Sequence, residues 1–251
     1  MLALEVAILS ERGGRAYNED ACGHWHSDRT LCCVLADGAG GHGGGELAAR
    51  LAVSRVIERI AEAPTTSGPE LNALLREVNQ GVIDARVPGT PSAQMHSTVV
   101  CVVLDFADPL VHWAHAGDSR LYWFRDGRVL QQTRDHSMVQ SLVDAGMLPP
   151  DQLRSHPKRS ELRSALGTEA HELQVSDSGA AQRVQPGDVF LLCTDGLWEH
   201  VEEAQMEALL QAAHTPNDWL AALEQAVLAR TAGLRSHDNF TALAVWSRQP
   251  I

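Results

Sequence analysis

Four aspartates stand where apolar runs give out: Asp37 after LCCVLA, Asp118 after the run ending HWAHAG, Asp195 after VFLLCT, and Asp238 just ahead of FTALAVW. One Asp-Gly after a strand is only a turn. Four carboxylates packed at strand ends would repel one another unless a cation lay between them. Mg²⁺ and Mn²⁺, which take carboxylate, carbonyl and water oxygens, suit that donor set. Gly38 has no side chain, so its carbonyl can come close to such an ion. The stretch DGAGGHGGGE (37–46) is Gly-rich before a helix but lacks the Lys-Ser/Thr ending of a phosphate loop. Its glycines read better as a turn wrapping a metal site, with His42 either a local hydrogen-bonding group or a site residue.

A second set of polar residues lies in ERGGRAYNEDA (11–21), where Arg12, Arg15, Glu19 and Asp20 share a glycine-broken loop. Alone, this is a solvated turn. Beside a metal cluster, Arg15 could fork onto the non-bridging oxygens of a phosphate ester while Glu19 and Asp20 complete the shell of metals and bound waters. No HExxH, GxSxG or CxxC motif and no evident covalent nucleophile accompany them, which favours a metal-activated water as the attacking group.

These residues need a frame to position them. The chain has 251 residues, 44% of them hydrophobic, enough to bury a core without disulfides or a structural metal, and reads as one domain over 1–251. A formal net charge of −12 weighs against a surface that grips nucleic acid. The 5 cysteines show no disulfide or zinc spacing, and Cys32, Cys33, Cys101 and Cys193 sit in apolar runs as small hydrophobes. The opening MLALEVAILSERG has no basic leader, and no run approaches the roughly 20 apolar residues that span a bilayer. A cytoplasmic protein without a membrane anchor is expected.

Period-two runs predict strands at 2–9, 31–36, 97–105, 109–117, 119–125, 127–132, 171–176, 188–194 and 240–246. Asp-Pro, Gly-Asp and Asp-Gly turns between several of them imply antiparallel meanders. Helical spacing predicts helices at 45–62, with Leu47, Leu51, Val53, Ile57 and Ile60 inward, at 70–85, at 136–146 with Asp135 as cap, at 202–214 and at 217–232. A sheet core covered by helix pairs follows. The segment 145–167, AGMLPPDQLRSHPKRSELRSALG, obeys neither period and is either a plain connecting loop or a flap beside a cleft.

The motifs RAYNED (15–20), LADGAGGHGGGE (35–46), STVV (97–100), HAGDSRLY (115–122), TRDHS (133–137), LRSALG (162–167), LLCTDGLWE (191–199) and HDNFTALAV (237–245) occur in this order over nearly the whole chain. In them the sequence resembles the bacterial metal-dependent serine/threonine protein phosphatases, the type 2C family. The resemblance implies an α+β fold, a four-layer α-β-β-α sandwich of two central antiparallel sheets flanked by helix pairs. It also implies two Mn²⁺ or Mg²⁺ ions. Asp37 would bridge them, the Gly38 carbonyl would bind one, and Asp195 and Asp238 would hold the other. Glu19 would hold waters on the Gly38 side and Asp20 would support the cluster from behind. Asp118 and Asp195 would share a third, weaker ion.

By the same resemblance Arg15 would bind the substrate phosphate, Asn239 would line the site, and 145–167 would be the flap that affects substrate choice. Hydrolysis would be direct, by a water held between the metals, without a phosphoenzyme. Ala39 stands where relatives carry Met or a histidine proposed as general acid, which leaves protonation of the leaving oxygen to a metal-bound water, solvent or a nearby histidine. The implied partners are proteins phosphorylated on Ser or Thr, including a Ser/Thr kinase or its substrates, met by a monomer. Two other readings are an inactive phosphoprotein-binding module, against which the intact carboxylates count, and a hydrolase of small phosphate esters.

Overall fold

The computed structural model describes residues 2–39, 44–65 and 67–249. Within them, one sheet runs β1 (Ala3–Glu11), β12 (Phe240–Arg248), β11 (Val189–Cys193), β7 (Arg120–Arg125) and β8 (Arg128–Gln132). The other runs β10 (Gln182–Arg183), β6 (Leu110–Ala116), β5 (Val99–Asp105), β3 (Thr30–Ala39) and β2 (Asp20–His26), with β4 (His96–Ser97) on β3 and β9 (Ser176–Asp177) on β6. All of these pairings are antiparallel.

Alternation explains the layering. On β3, Leu31, Cys33 and Leu35 face the five-stranded sheet, where they meet Leu121, Phe190, Leu192 and Leu243. Their neighbours Cys32, Val34 and Ala36 face outward onto α1 (Gly44–Glu62) and α2 (Gly68–Asp84). A strand buried on both faces reads as an unbroken apolar run, which is the form of LCCVLA. The five-stranded sheet is covered in the same way by α5 (Glu203–Ala212) and α6 (Pro216–Thr231), through Trp219, Leu220, Leu223 and Val227 packed on Tyr122, Phe124 and Leu191. The four layers implied by the resemblance are therefore present, and Cys32, Cys33, Cys101 and Cys193 are buried free thiols among them. No helix among the described residues is long and apolar enough to cross a membrane.

Several local expectations are corrected. Leu47 is exposed; α1 instead buries Ala48, Ala49, Ala52, Val53, Val56 and Ile60, because small side chains let it lie close to the sheet. The 97–105 run divides at Thr98 into β4 and β5, and of 171–176 only Ser176 is in a strand, as the first of the two residues of β9. Helix α3 (Met138–Asp144) is capped by Ser137, whose hydroxyl accepts from the Gln140 N–H, and not by Asp135. Asp135 is held elsewhere, in a buried bidentate pair with Arg120. Residues 145–167 are mostly turns, yet Arg154 fastens them to Glu203 at 2.6 Å and Arg159 to Glu199 at 2.6 Å.

Candidate active site

Strand β3 does not stop at Asp37-Gly38 as expected but runs through both to Ala39. The Asp37 backbone is satisfied on each side: its N–H donates to Thr98 Oγ1 at 2.9 Å, and its carbonyl accepts from Thr98 N–H at 2.8 Å and Ser97 Oγ at 3.0 Å. Across the sheet Asp20 sits opposite Asp37. Gly38 is obligatory here, since a Cβ would strike the Gly45 carbonyl. Asp195 opens the one-turn helix α4 (Asp195–Trp198) at the end of β11, and the indole N–H of Trp198 donates to the Asp118 carbonyl at 2.9 Å.

A cleft of about 430 Å³ is lined by Arg15, Glu19, Asp37, Gly38, Asp118, Asp195, Asp238 and Asn239, together with Ala39. Eight of the residues singled out from sequence thus converge on one space. Asp20 does not line it; it lies behind, buried, with Oδ2 accepting from Thr194 Oγ1 at 3.1 Å. His42 lies outside the described residues. Arg15 stands at the rim, its guanidinium 2.7 Å from Asp238.

Asn239 has a definite role in the geometry. Its amide nitrogen donates to the carbonyls of Arg12, at 2.7 Å, and Tyr17, at 2.9 Å, while its Oδ1 accepts from the Glu19 N–H at 2.9 Å. One buried side chain therefore staples the loop carrying Arg15 and Glu19 to the strand entry carrying Asp238. If Arg15 binds a substrate phosphate, as the resemblance implies, Asn239→Ala is expected to lower kcat/KM for a phosphopeptide by about 10- to 100-fold through misplacement of Arg15. Steady-state kinetics beside circular dichroism would check this, and a loss no larger than twofold would refute it.

Electrostatics marks the cleft as unfinished. Burial, and then the charges of Asp20, Asp195, Asp118 and Asp238, push Asp37 well above the usual carboxylate range. Asp195 is raised in the same way by burial and then by Asp118, Glu199, Asp238 and Asp20. Asp118 and Asp20 are each pushed up to about 7, with burial the leading cause. Asp195 Oδ1, Glu19 Oε1 and Asp20 Oδ1 are buried without a hydrogen-bond partner among the described residues. Among those residues no three acidic, imidazole or thiol groups are drawn together closely enough to hold an ion. The carboxylates of Glu19 and Asp195, each with an oxygen that lacks a donor, line the cleft beside Asp37, Asp118 and Asp238, a donor set that fits a hard divalent cation.

Thr98, Ala16, Tyr17, Ser160 and Leu162 also line the cleft and were not singled out from sequence. Each lies in or beside a motif noted above, but nothing in residue type alone marks a Thr as the brace of an aspartate backbone.

The protein phosphatase 2C family model matches residues 10–229. The chain belongs to the protein phosphatase 2C family. It is 36% identical over 217 residues to the serine/threonine protein phosphatase PstP of Mycobacterium tuberculosis, a match spanning 86% of this chain and 40% of that longer protein. It is 30% identical over 249 residues to the serine/threonine phosphatase stp of Listeria innocua, covering 96% of this chain and 95% of the relative. The solved catalytic domain of PstP, in complex with 2 manganese ions, superposes with a TM-score of 0.80 at 29% identity, covering 99% of this chain and 100% of that one. The protein phosphatase 2C relatives thus match the chain both in sequence and over the two-sheet frame that holds the cleft.

Proposed function

We propose that the protein hydrolyses phosphoserine and phosphothreonine in proteins, directly and with metal assistance, without a phosphoenzyme. The observation that carries this reading is the set of partnerless and raised carboxylates around one cleft, with Arg15 at its rim. Asp37 and the Gly38 carbonyl, with Asp195 and Asp238, would hold two Mn²⁺ or Mg²⁺ ions, and Asp118 with Asp195 would hold a third, weaker one. When bound, divalent cations supply Lewis acidity and a water of lowered pKa. Glu19 would orient waters on the Gly38 side, and Asp20 would brace the aspartate opposite it.

Arg15 would meet the equatorial oxygens of the phosphoryl group and offset the charge that develops there. Asp238 holds the same guanidinium at 2.7 Å and so sets the direction of that fork. Ala39 lines the cleft and has no proton to give. The proton for the departing Ser or Thr oxygen would then come from water or a nearby histidine. The substrates would be phosphorylated Ser/Thr proteins, a kinase or its targets among them.

Chelation is expected to abolish turnover of a phosphothreonine peptide and added Mn²⁺ to restore it, with no burst of product in the first turnover. A burst stoichiometric with enzyme would sink direct hydrolysis. Peptide binding without turnover at saturating Mn²⁺ would favour the inactive binder. Faster turnover of small phosphometabolites than of the peptide would favour the ester hydrolase.

A further inference from the structure

Metal holding and phosphate binding use only the polar part of the cleft. Its lining also includes Ala16 and Tyr17 from the Arg15 loop and Leu162 from the 145–167 segment. Tyr17 is 66% exposed, so its ring stands free at the cleft and is available to a ligand there. This exposure is not owed to a loose backbone. Its carbonyl is held by Asn239 at 2.9 Å, and the next residues are fixed by Asn18 Oδ1, which accepts from the Asp20 N–H at 3.1 Å, and by the Glu19 bond to Asn239.

Leu162 is presented with equal care. It bridges to Ser137, while the Met138 N–H donates to the Glu161 carbonyl and the Arg163 N–H to the His136 carbonyl, both at 2.8 Å. The Arg159 to Glu199 pair ties down the same stretch from its other side. Two apolar side chains are therefore held on pinned backbones beside a site whose other groups seek an anion. A phosphate has no use for apolar surface. The peptide that carries it does, through the phosphorylated residue's carbon atoms and its neighbours.

We infer that Tyr17 and Leu162 form a clamp on the peptide segment flanking the phosphorylated side chain, and that this clamp sets the preference for phosphoprotein over free phosphate esters. The inference rests on the phosphatase reading above. Methyl phosphate reaches only the polar floor, whereas a phosphothreonine peptide reaches floor and clamp together. In Tyr17→Ala and Leu162→Ala, KM for the peptide is expected to rise about tenfold with kcat within about twofold, the scale of losing cover on one aromatic or aliphatic group. Turnover of methyl phosphate should change by less than about twofold, and Tyr17→Phe, which keeps the ring, should track the parent protein.

Binding of a non-hydrolysable phosphonate analogue of the same peptide, followed by fluorescence anisotropy, should weaken by the same factor as KM rises. Equal losses on methyl phosphate, an unchanged peptide KM, or a Tyr17→Phe defect as large as that of Tyr17→Ala would each overturn the clamp. Tyr17 is exposed and can be truncated without touching the core, so Tyr17→Ala decides the matter even if Leu162→Ala folds poorly. If the parent protein hydrolyses neither substrate, the phosphatase reading fails, and the phosphonate peptide still tests the clamp.

Discussion

Asp37→Asn is expected to lose Mn²⁺-dependent turnover of a phosphothreonine peptide by at least about a thousandfold, roughly 4 kcal/mol of barrier, and yet to melt no earlier than the parent chain in chelator. The two halves have one cause. Asp37 opens onto the cleft, but burial and then the charges of Asp20, Asp195, Asp118 and Asp238 all disfavour its ionised form. An amide keeps the shape and removes one repelling charge together with the ligand the ions would share.

The dependence on pH follows from the same group of residues. A carboxyl raised in the folded state favours folding while it is protonated, below its unfolded value of about 4. That contribution is lost as pH rises through the folded value, about 7 for Asp20 and for Asp118. The metal-free parent should therefore lose stability between about pH 4 and 7, and Asp37→Asn should lose less. Its Tm should exceed the parent's at neutral pH by about 2–4 °C for each kcal/mol of repulsion relieved. Full turnover in the purified variant would refute the assignment of Asp37, and a lower Tm in chelator would refute the electrostatic account.

Asp135→Ala is the larger change in stability, at about 3–5 kcal/mol by urea unfolding. Arg120 is buried, donates through Nε and Nη2 to both Asp135 oxygens at 2.8 Å, donates through Nη1 to Tyr122 Oη at 2.9 Å, and lies 3.6 Å from the centre of the Trp198 ring. Without Asp135 the guanidinium keeps one ion pair among the described residues, the longer contact to Glu203 at 3.7 Å. Desolvation that the bidentate pair had offset then falls on the fold. The double variant Arg120→Met/Asp135→Leu, which removes both charges and keeps much of the volume, should recover most of the loss. Because Trp198 also holds the Asp118 carbonyl, Asp135→Ala should weaken Mn²⁺ binding as well. A cost below about 1 kcal/mol would show that the pair carries little of the fold.

The apolar strands and amphipathic helices were legible because each is buried on a regular face. β2 was not, since DACGHWH is an edge strand whose Ala21 and Trp25 pack on the helix side while His24 and His26 face solvent. Reading the end of β3 at Ala36 mistook a change from apolar to acidic side chains for a change of backbone; hydrogen bonds from Ser97 and Thr98 carry the strand past Asp37. Leu47 was placed inward by hydropathy, but closeness of packing favours alanine. Asp135 looks like a cap because of its position before a helix, and only its partner on the adjacent strand β7, Arg120, reveals otherwise. The converging aspartates were legible as residue types at element ends, while the Asn239 staple and the Thr98 brace depend on contacts between segments that no local pattern encodes.

The pairing of β1 with β12, at one edge of the five-stranded sheet, brings together residues far apart in sequence, from Ala3 opposite Arg248 to Glu11 opposite Phe240. The loop bearing Arg15 and Glu19 meets its staple only when Asn239 arrives. A ribosome delivers Phe240–Arg248 long after Ala3–Glu11, and a sheet closed by so distant a pairing forms late. A nascent chain would therefore carry most of its acidic cleft before it had a fixed arginine to receive phosphate, and catalytic competence would switch on as one of the last acts of folding.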